Sequence, residues 1–271
     1  MVIFPNAKIN IGLNIISRRS DGYHNIESLF YPVGAMDALE FVKQQEAGDK
    51  DILTVSGLQT GCTADDNLVI KALALIREDY NIPALKIHLH KIIPAGSGLG
   101  GGSSDAAFLL KYLNRYFKLD IKLSRLSEMA LQIGSDCAFF IKNEPAIVSG
   151  RGEILKDTTF SLEGKYILLV HPGIHVSTAE AYSLAEPRDS GPGISELIHK
   201  PLSSWKNIIR NDFQDIIINR HPLIGRIIDD MYEDGALYCS MSGSGSAVYG
   251  IFKTEPGSKK YGDYWKWSGP L

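Results

Sequence analysis

The first regular pattern along the chain is an alternation of apolar and polar positions over residues 6–18. Successive side chains of a β-strand point to opposite faces, so this alternation predicts a half-buried strand with one polar face. The apolar positions are Ala7, Ile9, Ile11, Leu13 and Ile15, and between them stand Lys8, Asn10, Gly12 and Asn14.

Shorter apolar runs bounded by turn-forming residues predict further strands over 26–33, 38–43, 52–56, 85–90, 146–149, 166–170, 237–241 and 247–252. Helical periods predict a helix starting at 66–67, helices over 103–117, 123–133, 211–219 and 223–232, and a short helix ending at Tyr182. Residues 186–201 are rich in proline, glycine and charge and are expected to form a surface loop, and 254–271 show no long helical period. Because strands and helices do not alternate strictly, the pattern indicates an α+β fold rather than a doubly wound sheet.

A glycine-rich stretch separates the predicted strand 85–90 from the predicted helix 103–117. Five of the seven residues from 96 to 102 are glycine. Ser103 or Ser104 is expected to cap the helix that follows, whose apolar face holds Ala107, Leu110 and Leu113. A helix N-terminus presents unpaired N–H groups and the positive end of the helix dipole. The stretch is therefore predicted to cradle the phosphates of a nucleotide triphosphate.

Other nucleotide-binding motifs fit this stretch less well. Gly96, Gly98 and Gly101 satisfy G-x-G-x-x-G, but a dinucleotide fold needs a second strand ending in an acid about 20 residues later. Asp120 lies at that distance, and the predicted helix leaves no room for the strand. A Walker P-loop is excluded because no Gly-Lys-Ser/Thr follows the glycines. A flexible surface linker remains the structural alternative, against which Leu99 and the tight flanks argue.

Composition narrows the class of protein. The net charge of −3 gives no basic footprint for nucleic acid, and no apolar run reaches the ~20 residues of a membrane helix. The three cysteines are scattered and odd in number, and the N-terminus lacks the pattern of a signal peptide. We expect a cytoplasmic protein that acts on a small molecule, without nucleic-acid or membrane partners, as a monomer or weak homodimer.

The glycine-rich stretch resembles the phosphate loop of the GHMP small-molecule kinases, a superfamily with galactokinase, homoserine kinase and mevalonate kinase. It matches as Pro94-x-x-x-Gly98-Leu99-Gly100-Gly101-Gly102-Ser103-Ser104. Further segments fall in the family's order from residue 6 to about 252, namely Ala7–Leu13, Asp21–His24, Gly134–Cys137, Gly150–Glu153 and Ser242–Ser246. Ser97 and the tail depart from the usual pattern.

The resemblance implies an α+β GHMP kinase fold with two domains. Residues 1–157 would form the N-terminal ATP-binding domain, which resembles domain 2 of ribosomal protein S5, and residues 158–271 a ferredoxin-like C-terminal domain. It also implies transfer of a phosphate from ATP to a substrate hydroxyl. Asp136 would accept or orient the hydroxyl proton, and Lys8 would offset the developing negative charge.

The resemblance assigns binding roles as well. ATP would contact Asn67, Lys91 and the loop of Pro94, Ala95, Gly96, Ser97, Gly98, Leu99, Gly100, Gly101, Gly102, Ser103 and Ser104. Mg²⁺ would take a hydroxyl ligand from Ser103 or Ser104. The motifs are most similar to the branch whose substrate carries cytidine diphosphate, which would contact Asn10, Tyr23, His24, Thr178, Tyr182 and Gly243. Tyr23 and His24 would flank the cytosine ring, with Tyr182 on its other face. Simpler roles stay open for some of these residues, such as a helix cap for Asn67, a strand-edge position for Lys91 and a hairpin for Gly243.

Two other functions remain possible at this point. One is a different enzyme of the GHMP fold, either a small-alcohol kinase or a decarboxylase that uses ATP to activate its substrate. The other is a ligand sensor without catalysis on the same fold. Sensors of this kind tend to lose the lysine–aspartate pair, and both Lys8 and Asp136 are present.

Overall fold

The computed structural model describes residues 1–44, 50–187 and 191–271. Over these residues, the strands form three four-stranded sheets. The strands are β1 (Val2–Ile3), β2 (Asn6–Arg18), β3 (His24–Met36), β4 (Ala38–Lys43), β5 (Ile52–Gly57), β6 (Leu85–Lys91), β7 (Ala146–Gly150), β8 (Ile154–Asp157), β9 (Tyr166–His171), β10 (Tyr238–Met241), β11 (Val248–Phe252) and β12 (Trp265–Pro270). The α-helices are α1 (Leu68–Asp79), α2 (Gly101–Phe117), α3 (Leu123–Ile133), α4 (Cys137–Lys142), α5 (Thr178–Leu184), α6 (Ile194–Leu197), α7 (Trp205–Ile208), α8 (Gln214–Arg220) and α9 (Pro222–Glu233).

The mixed helix and strand content confirms the predicted α+β class. Two local predictions are wrong. The helix α2 begins at Gly101 with Gly100 as its N-cap, so neither Ser103 nor Ser104 caps it. Part of the expected surface loop 186–201 is the helix α6, where Ile194 is completely buried; residues 188–190 of that loop lie outside the described residues.

Packing divides the chain into two units. The first consists of Met1–Ala7, Ala35–Ala95 and Gly100–Asn143, and the second of Lys8–Gly34, Gly96–Leu99 and Glu144–Leu271. The predicted boundary between residues 157 and 158 stays a prediction. No helix in the described ranges is long and apolar enough to cross a membrane.

In the first unit, one sheet has the strand order β1-β4-β6-β5. Its strand β6 pairs antiparallel with β4 and parallel with β5. Alternate side chains of β4 and β6, such as Leu39, Phe41, Ile87 and Leu89, are buried. Phe41 meets Tyr116 of α2 edge to face, with the ring centroids 5.4 Å apart. This contact holds the C-terminal end of α2 against the sheet, and the Lys91–Asp105 ion pair holds the beginning of the helix beside the end of β6.

In the second unit, the sheet β10-β11-β9-β12 is antiparallel, and its apolar strand β9 lies inside it. Helix α9 packs on β10 and β11. The sheet β2-β3-β7-β8 lies mostly in this unit, and its strands β3 and β7 pair in antiparallel register, with Ile26 opposite Gly150. The loop that precedes β3 and the turn that follows β7 therefore lie at the same end of the sheet.

Candidate active site

The part of the glycine-rich loop in the second unit is held by backbone contacts that leave no room for side chains. The Lys8 amide donates a hydrogen bond to the Leu99 carbonyl at 2.9 Å, so the loop is tied to β2. Gly98 has a φ of +83°, and a Cβ there would lie 2.0 Å from the carbonyl oxygen of Ser242. Both observations require glycine at this position.

The part of the loop in the first unit ends at the N-terminus of α2. Gly100 has a φ of +72° and provides no side-chain cap. The first turn of a helix has backbone N–H groups without an intrahelical acceptor. Because no side chain of Gly100 competes for these donors, the N-terminus of α2 is suited to bind an anionic group.

The two serines of this turn differ in accessibility. Ser103 is half-buried, whereas Ser104 is fully enclosed. The Ser104 hydroxyl also has no hydrogen-bond partner among the residues that the structure describes. A Mg²⁺ ion that shares its shell with phosphate and water needs an accessible oxygen ligand. Ser103 fits that requirement, and Ser104 in this enclosed position does not.

A buried cluster of three charged side chains lies beside the first turn of α2. The Lys91 ammonium donates hydrogen bonds to Asp105 at 2.7 Å and to Asp37. The backbone amides of Ile92 and Ile93 donate to the other oxygen of Asp37. The Lys91 ammonium is therefore already held by two carboxylates. Its expected role in an adenine pocket stays a prediction.

Burial and charge act in opposite directions on this cluster. Burial lowers the pKa of Lys91, but the two neighbouring carboxylates outweigh it and leave that pKa above its ordinary value. Burial raises the pKa of Asp105 to about 7, although the attraction of Lys91 opposes the rise. The surroundings therefore favour the charged form of Lys91 and disfavour the charged form of Asp105.

Lys8 and Asn10 share the polar face of β2 and are both buried. The Lys8 ammonium donates a hydrogen bond to Asn10 Oδ1 and lies 4.5 Å from the centroid of the Phe30 ring. Asn10 Nδ2 donates to the Ser28 hydroxyl at 3.1 Å, and the backbone N–H of Asn10 donates to the Ser242 hydroxyl at 3.2 Å. Asn10 thus orients the lysine and connects it to the second glycine-rich turn.

Asp136 precedes the short helix α4, at its N-cap position, and makes no side-chain capping bond to that helix. The side chain is half-buried. The next residue, Cys137, is buried, and burial raises the pKa of its thiol to about 12. This thiol is therefore a packing group and not a nucleophile.

The aromatic residues expected around a base have different surroundings. The rings of His24 and Tyr182 stack directly, with centroids 5.2 Å apart, and Tyr182 meets Phe213 edge to face. Two stacking distances need about 7 Å, so this spacing leaves no room for a base between His24 and Tyr182. Burial, with a smaller effect of Arg18, lowers the pKa of His24. Tyr23 is 57% exposed and is the accessible platform of the set.

The second glycine-rich turn is part of the same hydrogen-bond network in the second unit. The hydroxyls of Thr178 and Ser244 share a hydrogen bond at 2.9 Å. The Asn211 side chain donates to the carbonyls of Met241 and Gly243, each at 2.8 Å. Asn211 therefore fixes the turn that carries Gly243.

The remaining residues that are expected to contact ATP differ in structural role and in burial. Asn67 caps α1, since its side chain accepts a hydrogen bond from the Val69 amide. Pro94 and Ser97 are buried, and Ala95 and Gly96 are exposed.

Sequence reasoning missed three supporting residues: Asp37, Asn211 and Arg151. Asp37 pairs with Lys91, Asn211 holds the second glycine-rich turn, and the Arg151 guanidinium lies over the Tyr23 ring. Arg151 belongs to the Gly150–Glu153 motif, but the sequence of that motif does not indicate that Arg151 contacts Tyr23. For Asp37 and Asn211 no sequence signal was available, because their partners are 54 and 32 residues away.

Comparison with known proteins places this site in a family. The family description "GHMP kinases N terminal domain" matches residues 67–144, and "GHMP kinases C terminal" matches residues 194–266. A 4-diphosphocytidyl-2-C-methyl-D-erythritol kinase of Parabacteroides distasonis is 47% identical over 274 residues, which cover 100% of both chains. The protein of the same name from Bacteroides thetaiotaomicron is 47% identical over 255 residues, 94% of this chain and 93% of its own.

A solved structure agrees with these relatives. The crystal structure of a 4-(cytidine 5'-diphospho)-2C-methyl-D-erythritol kinase has a TM-score of 0.78 and 29% identity, covering 93% of this chain and 90% of its own. The chain belongs to the GHMP kinase family. Its predicted GHMP kinase fold is confirmed, and ATP is the phosphate donor that this family uses.

Proposed function

We propose that the protein transfers a phosphate from ATP to the 2-hydroxyl of 4-diphosphocytidyl-2-C-methyl-D-erythritol. The products are the 2-phosphate and ADP, in the non-mevalonate route to isoprenoid precursors. The observation that carries the proposal is the 47% identity to the Parabacteroides distasonis kinase of that name over the full length of both chains. Identity of this extent favours one substrate over the other alcohols that GHMP kinases use.

The glycine-rich loop and the N-terminus of α2 bind the phosphates of ATP in this proposal. Gly98 is restricted to glycine by the nearby Ser242 carbonyl, so the loop packs directly against the second glycine-rich turn. The helix N-terminus adds N–H donors and a positive dipole end. Asn67 and Lys91, with the loop residues Pro94–Ser104, complete the proposed ATP contacts.

Asp136 and Lys8 are the catalytic residues in this proposal. Asp136 accepts or orients the proton of the attacking hydroxyl, for which a positioned base contributes about 10²–10⁴-fold in rate. Lys8, oriented by Asn10, offsets the negative charge that develops on the transferred phosphoryl group. The backbone donors of the loop supply further electrostatic stabilisation.

Mg²⁺ is proposed as the metal that neutralises phosphate charge during transfer. The half-buried hydroxyl of Ser103 is the side chain of this turn that fits such an ion, and the enclosed Ser104 hydroxyl fits it less well. Phosphate oxygens and water complete the shell in this proposal.

The cytidine diphosphate part of the substrate is proposed to contact the second unit. Tyr23 offers an exposed ring for the base, and His24 and Tyr182 stack beside each other as its aromatic neighbours. A base inserted between His24 and Tyr182 would require these rings to separate. Asn10, Thr178 and Gly243 are proposed contacts for the sugar or phosphates.

The function is tested by measuring ADP release with 4-diphosphocytidyl-2-C-methyl-D-erythritol, mevalonate, homoserine and galactose side by side. We expect turnover with the cytidine substrate and a phosphorylated product that persists. In a parallel assay with diphosphomevalonate, release of CO₂ would identify a decarboxylase instead. Binding of a ligand without ADP release from any alcohol would identify a sensor. Turnover confined to an alcohol without cytidine would refute the proposed substrate.

We further propose that the protein works in the cytoplasm as a monomer or weak homodimer. The scattered cysteines support a reducing compartment, and two of them, Cys137 and Cys239, are buried as free thiols. Sedimentation velocity over a range of protein concentrations tests the oligomeric state.

A further inference from the structure

Strand pairing brings two separate segments of the second unit together at one end of a sheet. Strands β3 and β7 pair with Ile26 opposite Gly150. The loop before β3 carries Tyr23, and the turn after β7 carries Arg151. The Arg151 guanidinium carbon lies 5.0 Å from the centroid of the Tyr23 ring. This contact joins the exposed ring to an arginine from a distant part of the chain, which has no role in the proposed function.

The turn holds Arg151 in a defined position. Its backbone amide donates a hydrogen bond to the Glu153 carboxylate, and its Nε lies 3.8 Å from Glu153 Oε1. Gly150 has a φ of +70°, and a Cβ there would lie 2.8 Å from Glu153 Oε2. Glycine at this position therefore lets the carboxylate fold under the turn and fix the arginine.

The Arg151 side chain is partly exposed. It is 42% exposed and donates no hydrogen bond within the ranges 1–44, 50–187 and 191–271. A planar guanidinium stacks on an aromatic ring better than an ammonium does. In this position Arg151 covers one face of the Tyr23 ring.

Hydrogen bonds hold the backbone of Tyr23, whereas its ring is in contact with the Arg151 guanidinium. The Tyr23 amide donates to Asp21 Oδ1 at 3.1 Å, and the Tyr23 carbonyl accepts from the Arg19 amide at 2.8 Å. Tyr23 is 57% exposed as a residue, and the guanidinium of Arg151 lies over its ring. Because Arg151 covers one face, a flat ligand ring that stacks on Tyr23 must use the opposite face.

We propose that Arg151 is a positioning residue for substrate recognition, which holds the Tyr23 ring so that its opposite face receives the pyrimidine base of a nucleoside diphosphate. The identity of the base rests on the proposed function. A ring that is already fixed loses less conformational entropy when the ligand binds, so Arg151 strengthens binding without touching the reacting atoms. Its effect must pass through Tyr23.

A double-mutant cycle tests this dependence. The variants are Arg151→Ala, Tyr23→Ala and the double substitution, with Arg151→Lys as the conservative change. Titration calorimetry gives the Kd for CDP, and steady-state assays give kcat and the KM values for both substrates. We expect Arg151→Ala to weaken CDP binding and raise the KM of the cytidine substrate about fivefold. The kcat and the KM for ATP should change by less than twofold, and the thermal midpoint by less than about 1 °C.

The cycle distinguishes an action through Tyr23 from other roles. In the Tyr23→Ala background, Arg151→Ala should weaken CDP binding by less than twofold more, and Arg151→Lys alone should give an intermediate loss. Additive losses, or an unchanged Kd for CDP in Arg151→Ala, would overturn the proposal. Arg125→Ala, which removes another exposed arginine, serves as the control and should leave all of these values unchanged.

Failure of the proposed function has a different signature. It appears as absence of turnover of the cytidine substrate by the unsubstituted protein, whatever its affinity for CDP. Failure of the inference appears in the Kd values for CDP of the variants, which do not depend on turnover.

Discussion

The Lys91 ammonium donates a hydrogen bond to the Asp105 carboxylate at 2.7 Å, and both side chains are almost completely buried. Asp37, buried as well, accepts a second hydrogen bond from the same ammonium. Lys91 ends β6 and Asp105 lies in the first two turns of α2. The pair therefore joins the end of a strand to the beginning of the helix that follows the glycine-rich loop.

Substitution of Lys91 by methionine tests whether this lysine stabilises the fold. The change leaves Asp37 and Asp105 as buried carboxylates without their cation. Removal of one partner from a buried ion pair costs about 3–5 kcal/mol, because the remaining charge is not compensated. We expect Lys91→Met to lower the free energy of unfolding by about that amount in urea denaturation.

Asp105→Asn is the matched control for this prediction. The amide still accepts a hydrogen bond from Lys91, and the remaining Lys91–Asp37 pair is neutral. We expect a change of less than about 1 kcal/mol. Equal losses for the two variants, or none for Lys91→Met, would show that the lysine is not the required counter-charge of the cluster.

Much of this site was predictable because it is encoded locally. The alternation over residues 6–18 gave β2 with Lys8 and Asn10 on one face, and the glycine-rich stretch gave a loop between a strand and a helix. Both patterns depend on neighbours within a few residues, which one sequence displays in full.

Other features depend on distant partners and were not predictable. Asp105 lies near the beginning of α2, where an acidic residue is ordinary, but it is buried in an ion pair with Lys91. Ile194 stands in a polar, proline-rich segment, yet it is buried and its Cδ1 lies within 2.4 Å of where a Cβ of Gly12 would be. The tail has no helical period because it forms β12, which pairs with β9. In each case tertiary contacts decide the outcome.

Gly98→Ala is expected to damage the phosphate loop. A Cβ at this position would lie 2.0 Å from the Ser242 carbonyl oxygen, and the backbone has a φ of +83°. Both the collision and the left-handed conformation disfavour alanine, so we expect a loss of at least about 2 kcal/mol in unfolding free energy. The KM for ATP should rise about tenfold in ADP-release assays, because the loop backbone must shift.

Gly102→Ala is the comparison for stability. Gly102 lies in α2, and a Cβ there would have Leu68 Cδ1 as its nearest neighbour at 3.8 Å, which is an ordinary contact. Alanine is a better helix former than glycine by about 0.5–1 kcal/mol, so this variant should be slightly more stable. A similar loss for both variants would contradict the steric explanation of Gly98.

Asp136→Asn tests the proposed proton acceptor. The amide has nearly the same shape but accepts a proton far less readily, so kcat should fall about a hundredfold or more. Binding of ATP, measured by titration calorimetry, should be unchanged. Asp120→Asn is the control, because Asp120 is exposed with a φ of +54°, a conformation that asparagine tolerates, and should keep full activity. Near-normal turnover of Asp136→Asn would remove Asp136 from the mechanism.

The ion pair between Asp51 and Arg77 should make stability depend on pH in the acid range. Arg77 Nη2 donates to Asp51 Oδ1 at 2.8 Å, and the Leu85 amide donates to the same oxygen at 2.8 Å. Burial alone raises the pKa of Asp51, but these hydrogen bonds outweigh it and hold the pKa below its ordinary value of 3.8. The folded state therefore binds the proton less tightly than the unfolded chain does.

The direction of the pH effect follows from this order of pKa values. The stabilisation is fully present above the unfolded value and is lost as the pH falls through the folded pKa. We expect Asp51→Asn to cost about 1–2 kcal/mol in urea denaturation at pH 7 and pH 5, with the difference from the unsubstituted protein shrinking below about pH 4. Asp79→Asn, which breaks an exposed pair with Arg125, should leave the free energy of unfolding unchanged within experimental error at every pH. A cost of Asp51→Asn that grows as the pH falls would contradict the lowered pKa, because protonation should make the two side chains more alike.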